Sequence, residues 1–209
     1  MEPCESREKL ANAVSHGIGL LASIAALPLL VVRAVRNGNA WTITGSIIFG
    51  CTMILLYLAS TLYHAFPEGR AKAFFHRMDH SAIFLFIAGT YTPFVLGPLR
   101  GTLGWLLFGA VWSTALAGVV LKSTGRLRSN FTSVALYVAM GWVVMIAARE
   151  LWLHVPPAGI FWLVAGGILY TLGVPVYAAK RMRYHHAAWH LFVLGGSACH
   201  FFAVLWYTQ

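Results

Sequence analysis

Seven stretches of this chain are so apolar, and most of them so long, that a bilayer is the natural solvent for them. They lie near Val14–Val32, Ala40–Leu62, Ala82–Leu96, Leu103–Leu121, Val134–Ala148, Gly159–Ala178 and Ala187–Tyr207. A helix needs about 20 mostly apolar residues to cross the hydrocarbon. The third and fifth runs are shorter and are expected to borrow a turn from their flanks. Of the 209 residues, 59% are apolar and 10% charged, whereas an average soluble domain is about 45–50% apolar and about 25% charged. The sequence therefore predicts an all-α integral membrane protein, a bundle of seven transmembrane helices. The connecting loops are too short to separate domains. Residues 1–209 are expected to form a single transmembrane domain, with 1–11 as a short cytoplasmic N-terminal segment.

The distribution of charge sets the expected orientation. The N-terminus and the loops after runs two, four and six carry Arg7, Lys9, Arg70, Lys72, Arg77, Lys122, Arg126, Arg128, Lys180, Arg181 and Arg183, whereas the other loops carry Arg33, Arg36, Arg100 and Arg149. Short loops rich in Lys and Arg stay in the cytoplasm, which puts the N-terminus inside and, after seven crossings, Thr208 and Gln209 outside. Trp41, Trp105, Trp152, Trp162 and Trp206 fall near the predicted outer ends, where indoles anchor at headgroup level. The leading segment mixes Glu2, Glu5 and Glu8 with Arg7 and Lys9. That is unlike the basic start of a secretory signal, so the first run is expected to remain as a signal anchor.

Several classes drop out. The net charge of +9 is spread in twos and threes between apolar runs, not gathered on the one polar face that nucleic acid needs. Cys4, Cys51 and Cys199 form neither a CxxC nor an even framework, which argues against a disulfide-built fold. The orientation is opposite to that of a G-protein-coupled receptor. The lysines are Lys9, Lys72, Lys122 and Lys180, and none lies in the last run where a retinal protein needs its Schiff base.

Ionisable groups inside a bilayer cost about 2.5–3.5 kcal/mol each at a helix centre, so the nine histidines call for a reason. His16, His64, His76, His80, His185, His186 and His190 fall at or near predicted cytoplasmic helix ends, leaving His154 on the outer side and His200 within the last run. The single aspartate, Asp79, opens the third run on that same side. His186 and His190 are spaced i, i+4, which puts both imidazoles on one helical face, and His64 closes the second run. Ser60 stands one turn deeper on the face of His64. Three imidazoles with water as fourth ligand make an open tetrahedral zinc site, the catalytic kind, and a carboxylate nearby can orient an imidazole or take a proton. Ligation by imidazole without thiolate favours zinc and leaves iron, copper and nickel open. The competing reading treats these residues as interfacial polar groups, a description that suits His76, His80 and His185.

The stretches NAVSHGIG (Asn12–Gly19), LASTLYHAF (Leu58–Phe66), RMDHSAIFLFIAGTYTPF (Arg77–Phe94) and HHAAWHLFVLGGSACHF (His185–Phe201) resemble the bacterial hemolysin III family. That family belongs with the progestin and adiponectin receptors and, more distantly, with the alkaline ceramidases. The resemblance runs from Ala11 to the C-terminus. It rests on S-x-x-x-H ending the second span, Asp opening the third and H-x-x-x-H opening the seventh, and the chain departs from none of the five residues. It implies His64, His186 and His190 as zinc ligands, Ser60 and Asp79 as partners of the zinc-bound water or supports behind the ligands, and a location in the bacterial cytoplasmic membrane. His16 matches a recurring position as well and is read here as a capping or helix-packing residue. His200 is read as a hydrogen-bonded core histidine, about 15 Å along the helix from His190.

Three functional classes follow. The leading one is a zinc-dependent membrane hydrolase of lipid amides or esters, with Asp79 as general base, Ser60 as hydrogen-bond donor to the oxyanion and membrane lipids or their derivatives as substrates. The second is a sensor or regulator of membrane lipid state in which zinc is structural or regulatory. The third, a pore-forming cytolysin, is suggested by the family's name and finds little support in a chain that is hydrophobic throughout. Pro93 and Pro175 are expected to kink spans three and six, and Gly166-Gly167 and Gly195-Gly196-Ser197 to permit close helix approach.

Overall fold

The computed structural model describes the backbone of residues 3–208 and the side chains of residues 7–208. The readings placed on Glu2, Cys4, Glu5 and Gln209 lie outside these. All regular structure among the described residues is helical: α1 (Pro3–Asn37), α2 (Ala40–Ala65), α3 (Arg70–Leu96), α4 (Thr102–Ser123), α5 (Asn130–Trp142), α6 (Ala148–His154), α7 (Pro157–Ala178) and α8 (His185–Tyr207). A 3₁₀ stretch, Val143–Ala147, joins α5 to α6 without interruption, so the eight helices make seven rods. Six of these rods are long and apolar enough to cross a membrane; the exception is α3. The apolar run expected from Ala82 is preceded by about three further turns of helix, Arg70–Ser81. Hydropathy missed them because Arg70, Lys72 and Arg77 form helix readily without being apolar, and His76, Asp79 and His80 add to the polarity of this stretch.

The bundle is inverted relative to a soluble protein. Large apolar side chains stand on its outside, Phe131 at 85% exposure and Ile146 at 71% among them, while Asn12, His16, Ser60, Asp79 and His190 are buried. That is the pattern of a multi-pass membrane protein, whose lipid-facing surface needs no polar cover. Consecutive rods α1 to α4 pack side by side, α7 packs on α8, and α8 returns against α1 to close the ring. Close approach between α1, α2 and α8 requires Gly19, where a Cβ would sit 2.6 Å from the Tyr57 ring and 2.7 Å from Leu194. The α5 rod, by contrast, touches α3 and α7 only sparsely.

The change from α to 3₁₀ within the fifth rod frees backbone groups, and a single buried hydroxyl from α3 serves them. Tyr91 Oη accepts from Val144 N–H at 2.8 Å and lies 2.9 Å from the Met140 carbonyl and 2.7 Å from that of Gly141. Irregular backbone at membrane depth is tolerated where protein or a cavity surrounds it, and here Gly141, Val144 and Met145 line a cavity. The end of the bundle away from Asp79 gathers indoles: Trp41 meets Trp105 edge-on at 5.5 Å, Trp162 lies 6.4 Å from Trp206, and the Arg100 guanidinium covers Trp41.

Candidate metal centre

His64 stands in the last turn of α2, and His186 and His190 occupy the first two turns of α8. Because α1 packs between these helices, the three imidazoles meet. Ring centroids are 5.0 Å apart for His64 and His186, 5.2 Å for His64 and His190, and 4.6 Å for His186 and His190. One ring nitrogen from each lies within 4.8 Å of the other two. The Nε2 atoms of all three are buried and have no hydrogen-bond partner. A buried acceptor or donor without a partner is costly and calls for an explanation. Three unpartnered imidazole nitrogens converging on one point fit a divalent ion that prefers nitrogen ligands, with zinc first among them.

The approach of α8 to His186 is set by a tight turn. Tyr184 immediately precedes the helix in the left-handed region (φ 59°, ψ 22°), with the Arg183 guanidinium over its ring at 5.1 Å.

Asp79, 6% exposed on α3, is not among the convergent imidazoles but connects to them. Its carboxyl is a hydrogen-bonding neighbour of Ser60, and Ser60 Oγ lies 2.6 Å from His16 Nδ1. The His16 ring in turn stacks face to face on His190, centroids 3.4 Å apart and planes at 16°. Ser60 therefore serves Asp79 and His16, not the face of His64 where its spacing had placed it. His16 is 2% exposed and lies inside the cluster; it is neither a helix cap nor one of the convergent three. His80 approaches Asp79 with Nδ1 at 4.0 Å from a carboxylate oxygen. His76 and His80 stack edge-on at 4.5 Å beside this group, and His185 Nδ1 pairs with the Tyr177 carbonyl. His200 sits against Tyr170 and the Leu163 backbone, away from the cluster, as a core histidine should.

Two spaces flank the group. A polar vestibule of about 720 Å³ reaches His64 and His186 and is lined by Lys9, Asn12, Glu68 and Lys72. Lys72 at 3.0 Å and Lys9 at 3.6 Å pair with Glu68 at its rim, and the Lys72 hydrogen bond holds that carboxyl below the usual range. On the other side a cavity of about 400 Å³ reaches Asp79, His80 and His16 between α3, α5 and α7, walled mainly by apolar side chains such as Ile83, Ile87 and Val138.

Sequence reasoning missed Ser15 and gave His16 only a capping or packing role. Their signal was present as a polar stripe in an apolar helix, since Asn12, Ser15, His16 and Gly19 recur at the three- and four-residue spacing of one helical face.

A family model described as haemolysin-III related matches residues 5–201. The chain belongs to this family. Among its relatives, the Hemolysin-3 homolog of Bacillus subtilis (strain 168) is 49% identical over 201 residues, covering 96% of this chain and 94% of the relative. Hemolysin-3 of Bacillus cereus is 43% identical over 202 residues, covering 97% and 92%. Monocyte to macrophage differentiation factor of Homo sapiens is 25% identical over 207 residues, covering 94% and 83%. No solved structure matches the chain. The matched span of this haemolysin-III related protein contains all of His16, Ser60, His64, Asp79, His186 and His190.

Proposed function

We propose that this protein is a zinc-dependent hydrolase of lipid amides or esters, embedded in the cytoplasmic membrane with its histidine cluster toward the cytoplasm. The observation that carries this reading is the convergence of three unpartnered imidazoles, two of them lining a polar vestibule, beside an apolar cavity that reaches Asp79, His80 and His16. A lipid hydrolase has to bring water and an acyl chain together, and a polar space at His64 and His186 with an apolar one at Asp79 supports that reading.

In this reading all seven rods cross the bilayer, α3 included, with the polar start of α3 at the inner headgroup level. The excess of Lys and Arg at the end that holds the histidines supports a cytoplasmic placement, and the indoles at the opposite end support the outer interface.

His64, His186 and His190 would hold the metal through Nε2. Zinc held there would supply Lewis acidity toward a carbonyl and toward water. The chain's own groups do the rest. The apolar cavity holds the acyl chain, and cavities of this size suit a single small-molecule ligand. The Asp79 carboxylate, at the head of the cavity, accepts the proton of the attacking water and returns it to the leaving amine or alcohol as the carbonyl C–N or C–O bond breaks. Ser60, hydrogen-bonding neighbour of both Asp79 and His16, orients the carboxylate.

The test is metal analysis of purified protein beside His186→Ala, followed by turnover on a panel of long-chain N-acyl amides and esters. Near-stoichiometric zinc in the wild type, lost in His186→Ala, together with hydrolysis lost in Asp79→Asn, is the expected outcome. Zinc-loaded protein that binds such lipids in the cavity without cleaving them overturns the hydrolase and favours the lipid-sensing alternative. Ion conductance in a reconstituted bilayer, abolished by cavity substitutions, points instead to the pore that the relatives' name Hemolysin-3 suggests.

A further inference from the structure

The first helix supplies none of the three convergent imidazoles, yet it touches the most deeply buried of them through Ser15, Asn12 and His16. His190 is 0% exposed. Ser15 Oγ lies 2.9 Å from His190 Nδ1 and donates its own proton to the Asn12 carbonyl at 3.0 Å. A hydroxyl has one proton, and that of Ser15 is committed to a carbonyl, which can only accept. In that arrangement the serine presents a lone pair toward His190, which favours the hydrogen on Nδ1. The Asn12 carbonyl is itself a hydrogen-bonding neighbour of His190, and it too can only accept. With the proton on Nδ1, the neutral ring has its lone pair on Nε2, the atom that is buried and unpartnered in the cluster. His16, stacked on the face of the same ring at 3.4 Å, blocks rotation of its plane.

We infer that Ser15 is a positioning residue that locks His190 in the tautomer and orientation needed to bind a metal ion through Nε2. This rests on the metal-site reading above and adds a residue to it from a helix that contributes no ligand. Groups that hydrogen-bond the far nitrogen of a ligating histidine typically change metal affinity by about 10–100-fold when removed. The same lock leaves His190 Nε2 without a donor hydrogen, and so keeps the ring from satisfying itself on a neighbouring carbonyl.

The experiment is a chelator-competition titration of the full-length protein in detergent with Zn²⁺, and with Co²⁺ to read the d–d absorption of the bound ion. Ser15→Ala should weaken Zn²⁺ binding about 10–100-fold and alter the Co²⁺ band, while Ser15→Thr, which keeps the hydroxyl, should restore both. Wild-type affinity and an unchanged Co²⁺ band in Ser15→Ala overturn the inference. Should Ser15→Ala fail to fold, Ser15→Val against Ser15→Thr makes the comparison at matched shape. Equal affinity in that pair overturns it, and loss in valine alone supports it. Wild-type protein that binds neither ion sinks the metal-site reading itself. A wild type that binds both, with variants that bind equally well, sinks only the role of Ser15.

Discussion

On one side of Asp79 the protein is tight, polar and aromatic; on the other it is roomy and apolar. The tight side is built by α1, α2 and α8, where Gly19 lets helices nearly touch and a chain of contacts runs from Asp79 through Ser60 and His16 to His190. The roomy side lies between α3, α5 and α7, where the fifth rod stands off and leaves a cavity of about 400 Å³. The contrast teaches how a single bundle divides two incompatible demands. On the proposed reading, groups that act on a bond must be held within a fraction of an ångström, whereas a wall that would receive a flexible hydrocarbon chain need only exclude water and yield.

That contrast can be tested from both sides. The largest effect is expected at the boundary itself: Asp79→Asn keeps shape and the Ser60 contact but removes the proton acceptor, and lipid-amide turnover should fall about 10²–10⁴-fold with zinc content unchanged. A rate like the wild type's would remove Asp79 from the chemistry. On the roomy side, Ile87→Trp fills cavity space, and KM for long-chain substrates should rise about tenfold while short-chain substrates and zinc content are unaffected. A uniform rise for both chain lengths would show that the cavity does not read the chain.

Tyr91→Phe probes the stitch between α3 and the broken fifth rod. It leaves Val144 N–H and two carbonyls without their hydroxyl, and should destabilise the protein by about 1–3 kcal/mol, seen as a lower unfolding midpoint in detergent with metal affinity retained. The smallest effect is expected at Tyr184. A left-handed conformation costs a non-glycine residue about 1–2 kcal/mol, so Tyr184→Gly should raise stability slightly once glycine's greater unfolded freedom offsets part of that relief. A clear loss of Zn²⁺ affinity instead would mean that the tightness of this turn sets the placement of His186.

Sequence patterning made much of this readable. Long apolar runs are visible because each carries its own signal, and so α2, α4, α7 and α8 appear close to where hydropathy puts them, whereas α1 starts at Pro3, well before the expected Val14 and through the stretch read as a separate N-terminal segment. The polar start of α3 was hidden because hydropathy reports solvent and not helix. The 3₁₀ interruption was hidden because the group that serves its freed backbone, Tyr91, is some fifty residues away in sequence. The candidate ligands His64, His186 and His190 stood out as ionisable groups in an apolar setting and as an i, i+4 pair. Ser15 did not, and His16 stood out without its partners, since their contacts depend on which helix lies beside α8, and spacing within one helix cannot reveal that. Ser60 was found for its position near His64, yet its partners turned out to lie on two other helices.

The closing of the ring between α1 and α8 has a consequence for how the protein comes into being. Ribosomal synthesis delivers α1 first and α8 last, and the candidate ion site draws His64 from the second rod and His186 and His190 from the final one, with Ser15 of the first beside His190. No nascent chain can hold the ion until translation has nearly finished and the last helix has docked. Metal loading would then mark completed molecules, and fragments truncated before α8 would be unable to acquire it.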